Sequence, residues 1–511
     1  MNLSIPQYAK RAVAEFPDVT MSWVDGVGRI DRSIAELGAA VDSVSNGLRQ
    51  LGLPAGSIIV CQLPNMVENV VLFHAALLAG MVIAPVVPTR GPRDIQQIIA
   101  TTGARCFVGI DLQEPAAWRD SVTRFGDVGT LSTLVGVHGA GDGAVPWEQL
   151  AQTQGPAAPV PDAQAAAVIL FTSGTTGRPK AVVHTHRSLL ARSLTTIPGA
   201  DEGEHIEMAV LPSGHIGGAV RAVRMICRGI PTIFLNTWDA RRALDLIESD
   251  RVTSMGLTPF FLTQLMDQQR ANPVDSSSLR HILVGGANVP PADVLAANEL
   301  GWPVVRSYGS TEYPMSFVGR TSDPVETRAN SDGRADAGAQ VRLVTPDGNT
   351  PPAGTPGEIY LRGPGLCAGY LNPNDTAGAF TDDGWFRTGD LGVVDSSGFL
   401  TVTGRVKDII IRGGENISAG EVEALVCAHP AVIESAAVGY PDEKYGERVC
   451  VYVTVRADAT LSVADLDEHF RALGADRRKT PERVIVLAQL PRTESGKIAK
   501  SELRARLAGG A

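Results

Sequence analysis

The chain has 511 residues, 44% hydrophobic and 20% charged, with a net charge of −10 from 45 Lys+Arg against 55 Asp+Glu. That length exceeds one ordinary hydrophobic core, so at least two domains are expected, and the composition excludes a disordered chain. The acidic balance lacks the basic stripe of a nucleic-acid surface, and the six cysteines (61, 106, 227, 367, 427 and 450) show neither metal-ligand spacing nor a small secreted scaffold, so they read as reduced thiols.

The start, MNLSIPQYAKRAVAEFP, has no apolar core of signal-peptide length, which makes the cytoplasm the expected location. The first third alternates short strand-like runs with helical runs, the α/β signature. The most apolar stretch, NVVLFHAALLAGMVIAPVVP at 69–88, contains His74 and breaks at Gly80 and its prolines. It reads as a buried helix followed by a strand, not as a membrane span. Residues 117–150 are weakly patterned, and 151–164, AQTQGPAAPVPDAQ, resemble a linker.

AAAVILF at 165–171 is a short apolar run with the pattern of a buried strand. It feeds TSGTTGRPK at 172–180, which supplies the hydroxyls of Thr172, Ser173, Thr175 and Thr176, the flexible Gly174 and Gly177, and the cation Lys180. Backbone N–H groups, hydroxyls and a lysine together make a polyphosphate cradle. A P-loop is excluded, because its two glycines stand further apart and its lysine opens a helix. Here Pro179 precedes the lysine, and AVVHTH at 181–186 reads as a strand, with His184 and His186 facing the same way as structural side chains. The stretch alone also fits an ordinary hydroxyl-rich surface turn.

Further strands are expected at HILV (281–284) and PVVRSYG (303–309), both ending in small or polar residues, where α/β sheets place ligands. From about residue 340 the strands become short and punctuated by glycine and proline, which suggests an antiparallel, barrel-like layer. The last hundred residues read as a small α+β unit. Ser418 and Glu421 form a capping pattern, residues 449, 451, 453 and 455 place four valines on one strand face, and Ser462 and Gly474 bracket another helix.

Four more motifs follow the 172–180 loop: YGSTE at 308–312, TGD at 388–390, GRVKDIIIRGGENIS at 404–418 and PRTESGK at 491–497. Each alone is weak. In this order and spacing they resemble the adenylate-forming superfamily, which holds the acyl-CoA synthetases, the luciferases and the adenylation domains of peptide synthetases. The resemblance runs from residue 62 through Lys497.

It implies a large N-terminal adenylation domain (1–405) with α/β sheets and a barrel-like subdomain, and a small mobile α+β lid (406–511) hinged near Lys407. It implies ATP, Mg2+ and coenzyme A. A carboxylate attacks the α-phosphorus to give acyl-AMP and pyrophosphate, and the coenzyme A thiol then takes the acyl group. On this resemblance the 172–180 loop holds the β- and γ-phosphates. Tyr308 lies beside the adenine, with Gly285, Gly286 and Ala287 as its other wall. Gly309 and Ser310 line the nucleotide, Thr311 donates to the α-phosphate, and Glu312 is the magnesium ligand. Asp390 takes the ribose hydroxyls with help from Arg405. Lys497 reaches the α-phosphate and the attacking carboxylate. Gly413 and Gly414 line the pantetheine tunnel.

The same resemblance makes His215, in LPSGHIGG at 211–218, a gate of the acyl pocket, with Ile216, Gly217 and Gly285 around it; a structural histidine is the alternative. The small residues after His215 leave room for a medium-sized or cyclic, largely apolar acid. Arg221 and Arg224 share a helix face, where they either bind a second polar group or a carrier surface or are salt-bridged. The motifs leave two other functions open: an adenylator that serves a carrier-protein pantetheine or a separate partner, and a non-catalytic nucleotide-binding homologue. Oligomeric state is open.

Overall fold

Apolar runs of four to eight residues, bounded by glycine, proline and polar turns, become the buried strands of two large sheets. The computed structural model describes the chain except residues 1–2, 157, 173–179, 198–202, 353, 413–414, 458, 474, 493–496 and 509–511. The chain divides into two compact units: 1–340 with 362–384, and 341–361 with 385–511.

The first unit holds an eight-stranded and a nine-stranded sheet. In the eight-stranded sheet, Ile58–Gln62, Val82–Pro85, Cys106–Leu112 and Thr133–Ala140 pair in parallel, and Ala166–Phe171 joins in parallel beside Val82–Pro85. Parallel strands covered on both faces read as continuous apolar runs, which is the texture of IIVCQ and AAVILF. Alternation splits each strand between two cores. Ile59 and Cys61 join one cluster, and Val60 joins another on the opposite face. In the nine-stranded sheet, Glu207–Ala209, Thr232–Leu235, Ser254–Leu257, His281–Val284 and Val304–Tyr308 are parallel neighbours, joined at one side by Thr20–Val24. The helices Ile34–Gln50, Val67–Leu78 and Ile216–Arg228 contribute to a core shared with residues of both sheets.

The apolar stretch at 69–88 is the expected buried helix and strand, Val67–Leu78 and Val82–Pro85. Residues 117–150 carry more structure than their texture suggested: helix Pro115–Thr123, strand Thr133–Ala140 and helix Trp147–Ala151. AVVHTH departs from the expected strand at its last residue. Ala181–Thr185 is a strand, but Thr185 accepts from Ser188 N and caps the helix His186–Ser193, so the two histidines are not a strand-face pair. Both are buried.

The second unit holds a four-stranded sheet, in which Gly357–Arg362, Phe386–Val394 and Leu400–Arg405 pair antiparallel, and a five-stranded sheet. In the latter Val449, Val451 and Val453 share one core, and Cys450 and Tyr452 enter the core on the other face, as the alternation predicts. Ser418 caps Ala419–Cys427, and Ser462 with Asp465 forms a capping box on Val463–Ala472. Gly474 lies outside the described residues. Among the described residues, no helix is long and apolar enough to cross a membrane. The cysteines are unpaired, and burial pushes the Cys106, Cys227 and Cys450 thiols up to about 12, so they stay protonated.

Buried imidazoles set an acid limit on the fold. His74 Nε2 lies 3.0 Å from the Ala222 carbonyl, and burial lowers its pKa. Burial likewise lowers His186 to about 4 from 6.5. Between these values the unfolded chain binds protons that the folded chain refuses. Their stabilising effect is therefore complete above pH 6.5 and is lost as pH falls toward 4. The urea midpoint is expected to drop across this window, and less steeply in His186→Phe. A variant curve parallel to the wild type would refute the assignment to His186.

Candidate active site

The nucleotide motifs fall in both compact units, and each part is described by itself. In the first unit, Ala166–Phe171 and Ala181–Thr185 are antiparallel, and Thr172 N donates to Lys180 O at 3.1 Å. Residues 172 and 180 therefore form the base of a strand–loop–strand hairpin, and Lys180 runs into a strand as the argument against a P-loop required. Ser173, Gly174, Thr175, Thr176 and Gly177 lie outside the described residues.

His281–Val284 and Val304–Tyr308 are parallel neighbours, with Val284 opposite Arg306. Gly285, Gly286 and Ala287 therefore leave the sheet next to the strand end that carries Tyr308, at the carboxyl ends where α/β sheets bind ligands. The turn after Tyr308 is tight: Ser310 N donates to Tyr313 O at 3.1 Å, and Tyr313 N donates to Ser310 Oγ at 3.2 Å. This turn fixes Gly309, Ser310, Thr311 and Glu312. His184 Nε2 lies 2.8 Å from the Thr311 carbonyl, so the buried histidine ties the phosphate-loop exit strand to the YGSTE turn.

Glu312 is buried, yet its side chain faces a polar partner. Tyr370 donates its hydroxyl to Glu312 Oε1 at 2.6 Å. The Tyr370 ring carries the Lys180 ammonium 4.9 Å from its centroid, and Lys180 also lies 3.5 Å from Asp375 Oδ1. Burial and the Glu312 carboxylate push the Tyr370 hydroxyl well above its ordinary pKa, so it stays a donor. The residues present suit a magnesium ion carried in with phosphates. Mg2+ binds through one or two carboxylates plus substrate phosphates rather than a dedicated protein cage. Glu312 supplies such a carboxylate, and no cluster of three His, Cys, Asp or Glu occurs among the described residues.

The LPSGHIGG segment leads into the helix Ile216–Arg228. His215 is its N-cap residue, half-buried, without a side-chain cap bond. Ile216 packs against the core shared with residues of both sheets. Gly218 must be glycine, because a Cβ there would meet the Pro212 carbonyl oxygen at 2.1 Å. A small cavity beside this segment is lined by Asn65, Asn69, Phe73, Ser213, Arg221 and Phe234. Arg221 and Arg224 share a face as expected, and that face meets the buried Glu207. Arg221 pairs with Glu207 through Nε at 2.6 Å and through Nη2. Arg224 Nε lies 4.0 Å from Glu207 Oε2, and its Nη1 donates to the Thr195 carbonyl at 2.6 Å. The salt-bridged alternative therefore describes this pair.

In the second unit, Asp390 and Arg405 are register partners on adjacent antiparallel strands. Arg405 Nε donates to Asp390 Oδ1 at 2.7 Å, and Thr388 Oγ1 accepts from Asp390 N at 3.0 Å. Asp390 is buried and Arg405 half-exposed, so the pair presents a carboxylate fixed by a guanidinium that reaches the surface. Lys407 is exposed in the single turn Val406–Asp408. That turn is held by Arg504, which donates to Asp408 at 2.6 Å, and by Lys500, 3.7 Å from Asp408. Gly413 and Gly414 lie outside the described residues. Lys497 is exposed next to an antiparallel bridge between Arg492 and Ile498.

Sequence reasoning missed Tyr370. It sits in CAGYLN, which has neither strand length nor charge to mark it.

Residues 9–371 match the AMP-binding enzyme family, and residues 421–497 match the AMP-binding enzyme C-terminal domain. The chain is 32% identical to the medium-chain fatty-acid–CoA ligase of Escherichia coli K12, covering 98% of this chain and 90% of that one. It is 30% identical to the salicyl-AMP ligase / salicyl-S-ArCP synthetase of Mycobacterium tuberculosis, covering 93% and 85%. The crystal structure of ATP-bound MatB from Rhodopseudomonas palustris superposes with a TM-score of 0.88 at 28% identity, covering 99% of each chain. The chain belongs to the AMP-binding enzyme family. It is an adenylate-forming acid–thiol ligase, a class that uses ATP, Mg2+ and coenzyme A.

Proposed function

We propose that this enzyme activates a medium-sized or cyclic, largely apolar carboxylic acid as acyl-AMP and then transfers the acyl group to coenzyme A. The observation that carries the reading is the Lys180–Tyr370–Glu312 contact, which joins the base of the phosphate loop to a buried carboxylate. In the first step a carboxylate oxygen bonds to the α-phosphorus, and the bond to the departing pyrophosphate breaks. Lys180 steadies the β- and γ-phosphates, Thr311 donates to the α-phosphate, and Lys497 offsets the repulsion between the two reacting anions. Magnesium, when bound through Glu312, spreads the charge of the phosphates. Asp390 and Arg405 hold the ribose, and Tyr308 flanks the adenine. In the second step the coenzyme A sulfur bonds to the acyl carbon, losing its proton, and the bond to AMP breaks. The 406–511 segment turns about Lys407 between the steps, and Gly413 and Gly414 give the thiol room. His215, with Ile216, Gly217 and Gly285, borders the acid. The engagement of Arg221 and Arg224 with Glu207 supports an apolar acid, since it occupies the two cations on the helix that follows that segment. The unpaired thiols support a reducing compartment, the cytoplasm.

The test is carboxylate-dependent pyrophosphate release from Mg-ATP over fatty, aromatic and alicyclic acids, with and without coenzyme A. One acid class should drive release, and thioester should form only with coenzyme A. Acetate as the best substrate would refute the acid assignment. Release without thioester would favour carrier-protein loading, the reading supported by the likeness to the salicyl-S-ArCP synthetase.

A further inference from the structure

Tyr370 belongs to none of the motifs that drew attention to the site, yet the chain is built to place it. Gly369–Tyr370 pairs antiparallel with Ala181–Thr185, with Tyr370 opposite Val182. Leu371 N donates to Ala181 O at 2.8 Å, one residue beyond Lys180. Ala368 N donates to Val183 O at 2.8 Å, and Cys367 N donates to Glu312 O at 2.9 Å. On the other side Thr376 Oγ1 accepts from Tyr370 N at 2.9 Å. Gly369 has φ +121°, and a Cβ there would meet the Thr376 side chain at 2.9 Å, so only glycine lets the strand turn this closely. A two-residue strand thus stitches the phosphate-loop exit to the YGSTE turn, and its one large side chain touches both functional residues.

The contacts differ in kind. The hydroxyl takes Glu312 Oε1, and among the described residues Oε2 is left without a donor. A carboxylate with one oxygen held by a hydroxyl has a set orientation, as a metal ligand needs. The ring face meets the Lys180 ammonium, a contact that steers the lysine without neutralising it.

We propose that Tyr370 is a positioning residue: its hydroxyl orients the Glu312 carboxylate for the metal, and its ring sets Lys180 for the polyphosphate. This rests on the reading of Glu312 as the metal ligand, and the experiment separates the two. Groups that orient a metal ligand typically contribute about 10–100-fold in metal affinity, and an exposed cation–π contact contributes about 2–5-fold.

The measurement is calorimetric binding of a non-hydrolysable ATP analogue at stepped Mg2+ and in EDTA, with pyrophosphate release followed over the same Mg2+ series. Tyr370→Phe keeps the ring, so its packing and melting temperature should hold. Its Mg2+ half-point should rise about tenfold or more, while analogue affinity in EDTA and the KM for the acid stay within about twofold of wild type. Tyr370→Leu should add a loss of about 2–5-fold in analogue affinity in EDTA. Glu312→Gln is the control and should abolish the Mg2+ response. If Glu312→Gln keeps a wild-type Mg2+ half-point, the metal-ligand reading fails and the proposal with it. If Glu312→Gln loses the response and Tyr370→Phe keeps the wild-type half-point, Tyr370 is a packing residue and the proposal alone is overturned.

Discussion

Replacing Lys497 by alanine is expected to lower carboxylate-dependent pyrophosphate release by about 10²–10³-fold while leaving the fold intact. The described segments on either side of it are anchored: Leu490 and Leu503 are buried in one cluster with Tyr452, whose hydroxyl donates to the Leu503 carbonyl at 3.1 Å. Lys497 itself is exposed. Surface substitutions of this kind change stability by about 0.5 kcal/mol or less, so the melting temperature should hardly move. The rate should, because the first step presses a carboxylate against a phosphate and a fixed cation is most valuable where that charge gathers. The second step brings a thiol to an acyl-adenylate and involves no such pair of anions. Preformed acyl-AMP with coenzyme A should therefore give thioester at close to the wild-type rate. Arginine restores the charge but not the compact ammonium, so Lys497→Arg should recover only part of the loss. A first-step loss below about tenfold in Lys497→Ala would remove the lysine from the chemistry.

Much of this site is legible in the sequence because its parts are local. AAAVILF, the hydroxyl-rich stretch and the strand after Lys180 are each readable, and the structure adds that the two strands pair antiparallel with Lys180 at their base. HILV and VVRSY are readable as strands that end in glycine and polar residues, and their parallel pairing in the structure brings Gly285 next to the strand end that carries Tyr308. The capped helices after Ser418 and Ser462 follow from side chains within four residues of each other. Asp390 and Arg405 are linked only through the family resemblance; their cross-strand pairing depends on a register shifted by a bulge, which the sequence does not display.

What failed to show depends on partners far along the chain. TLVGVHGA is diluted by glycines and becomes a strand because Cys106–Leu112 offers a parallel edge. His186 looks like a strand residue until Thr185 caps the helix it begins. Tyr370 makes its contacts to residues 180 and 312, and nothing within CAGYLN announces either one. The role of Arg221 and Arg224 turned on Glu207, which sits in a three-residue strand.

That buried triad gives the largest expected effect on stability. Glu207→Ala should destabilise the enzyme by about 3–5 kcal/mol, because it leaves a buried and a largely covered guanidinium group facing a vacated site. The side chains are 3% exposed for Glu207, 4% for Arg224 and 13% for Arg221, so water cannot replace the carboxylate. Burial alone would raise the Glu207 pKa, but Arg221 and Arg224 outweigh it and hold the carboxyl below its usual 4.5. The resulting stability is present above pH 4.5 and is lost as pH falls through the lower folded value. Urea midpoints followed by tryptophan fluorescence would measure the loss, and the deficit of Glu207→Ala should shrink in acid, where the wild type loses the same charge. Replacing all three residues by Leu, Met and Met should recover most of the stability, since a packed apolar triad carries no desolvation cost. That background also tests the substrate role directly. If the acid preference of the triple variant matches the wild type, the arginines serve the fold. If a polar acid is lost selectively while the variant stays folded, Arg221, which lines the cavity beside Ser213, contacts the substrate after all.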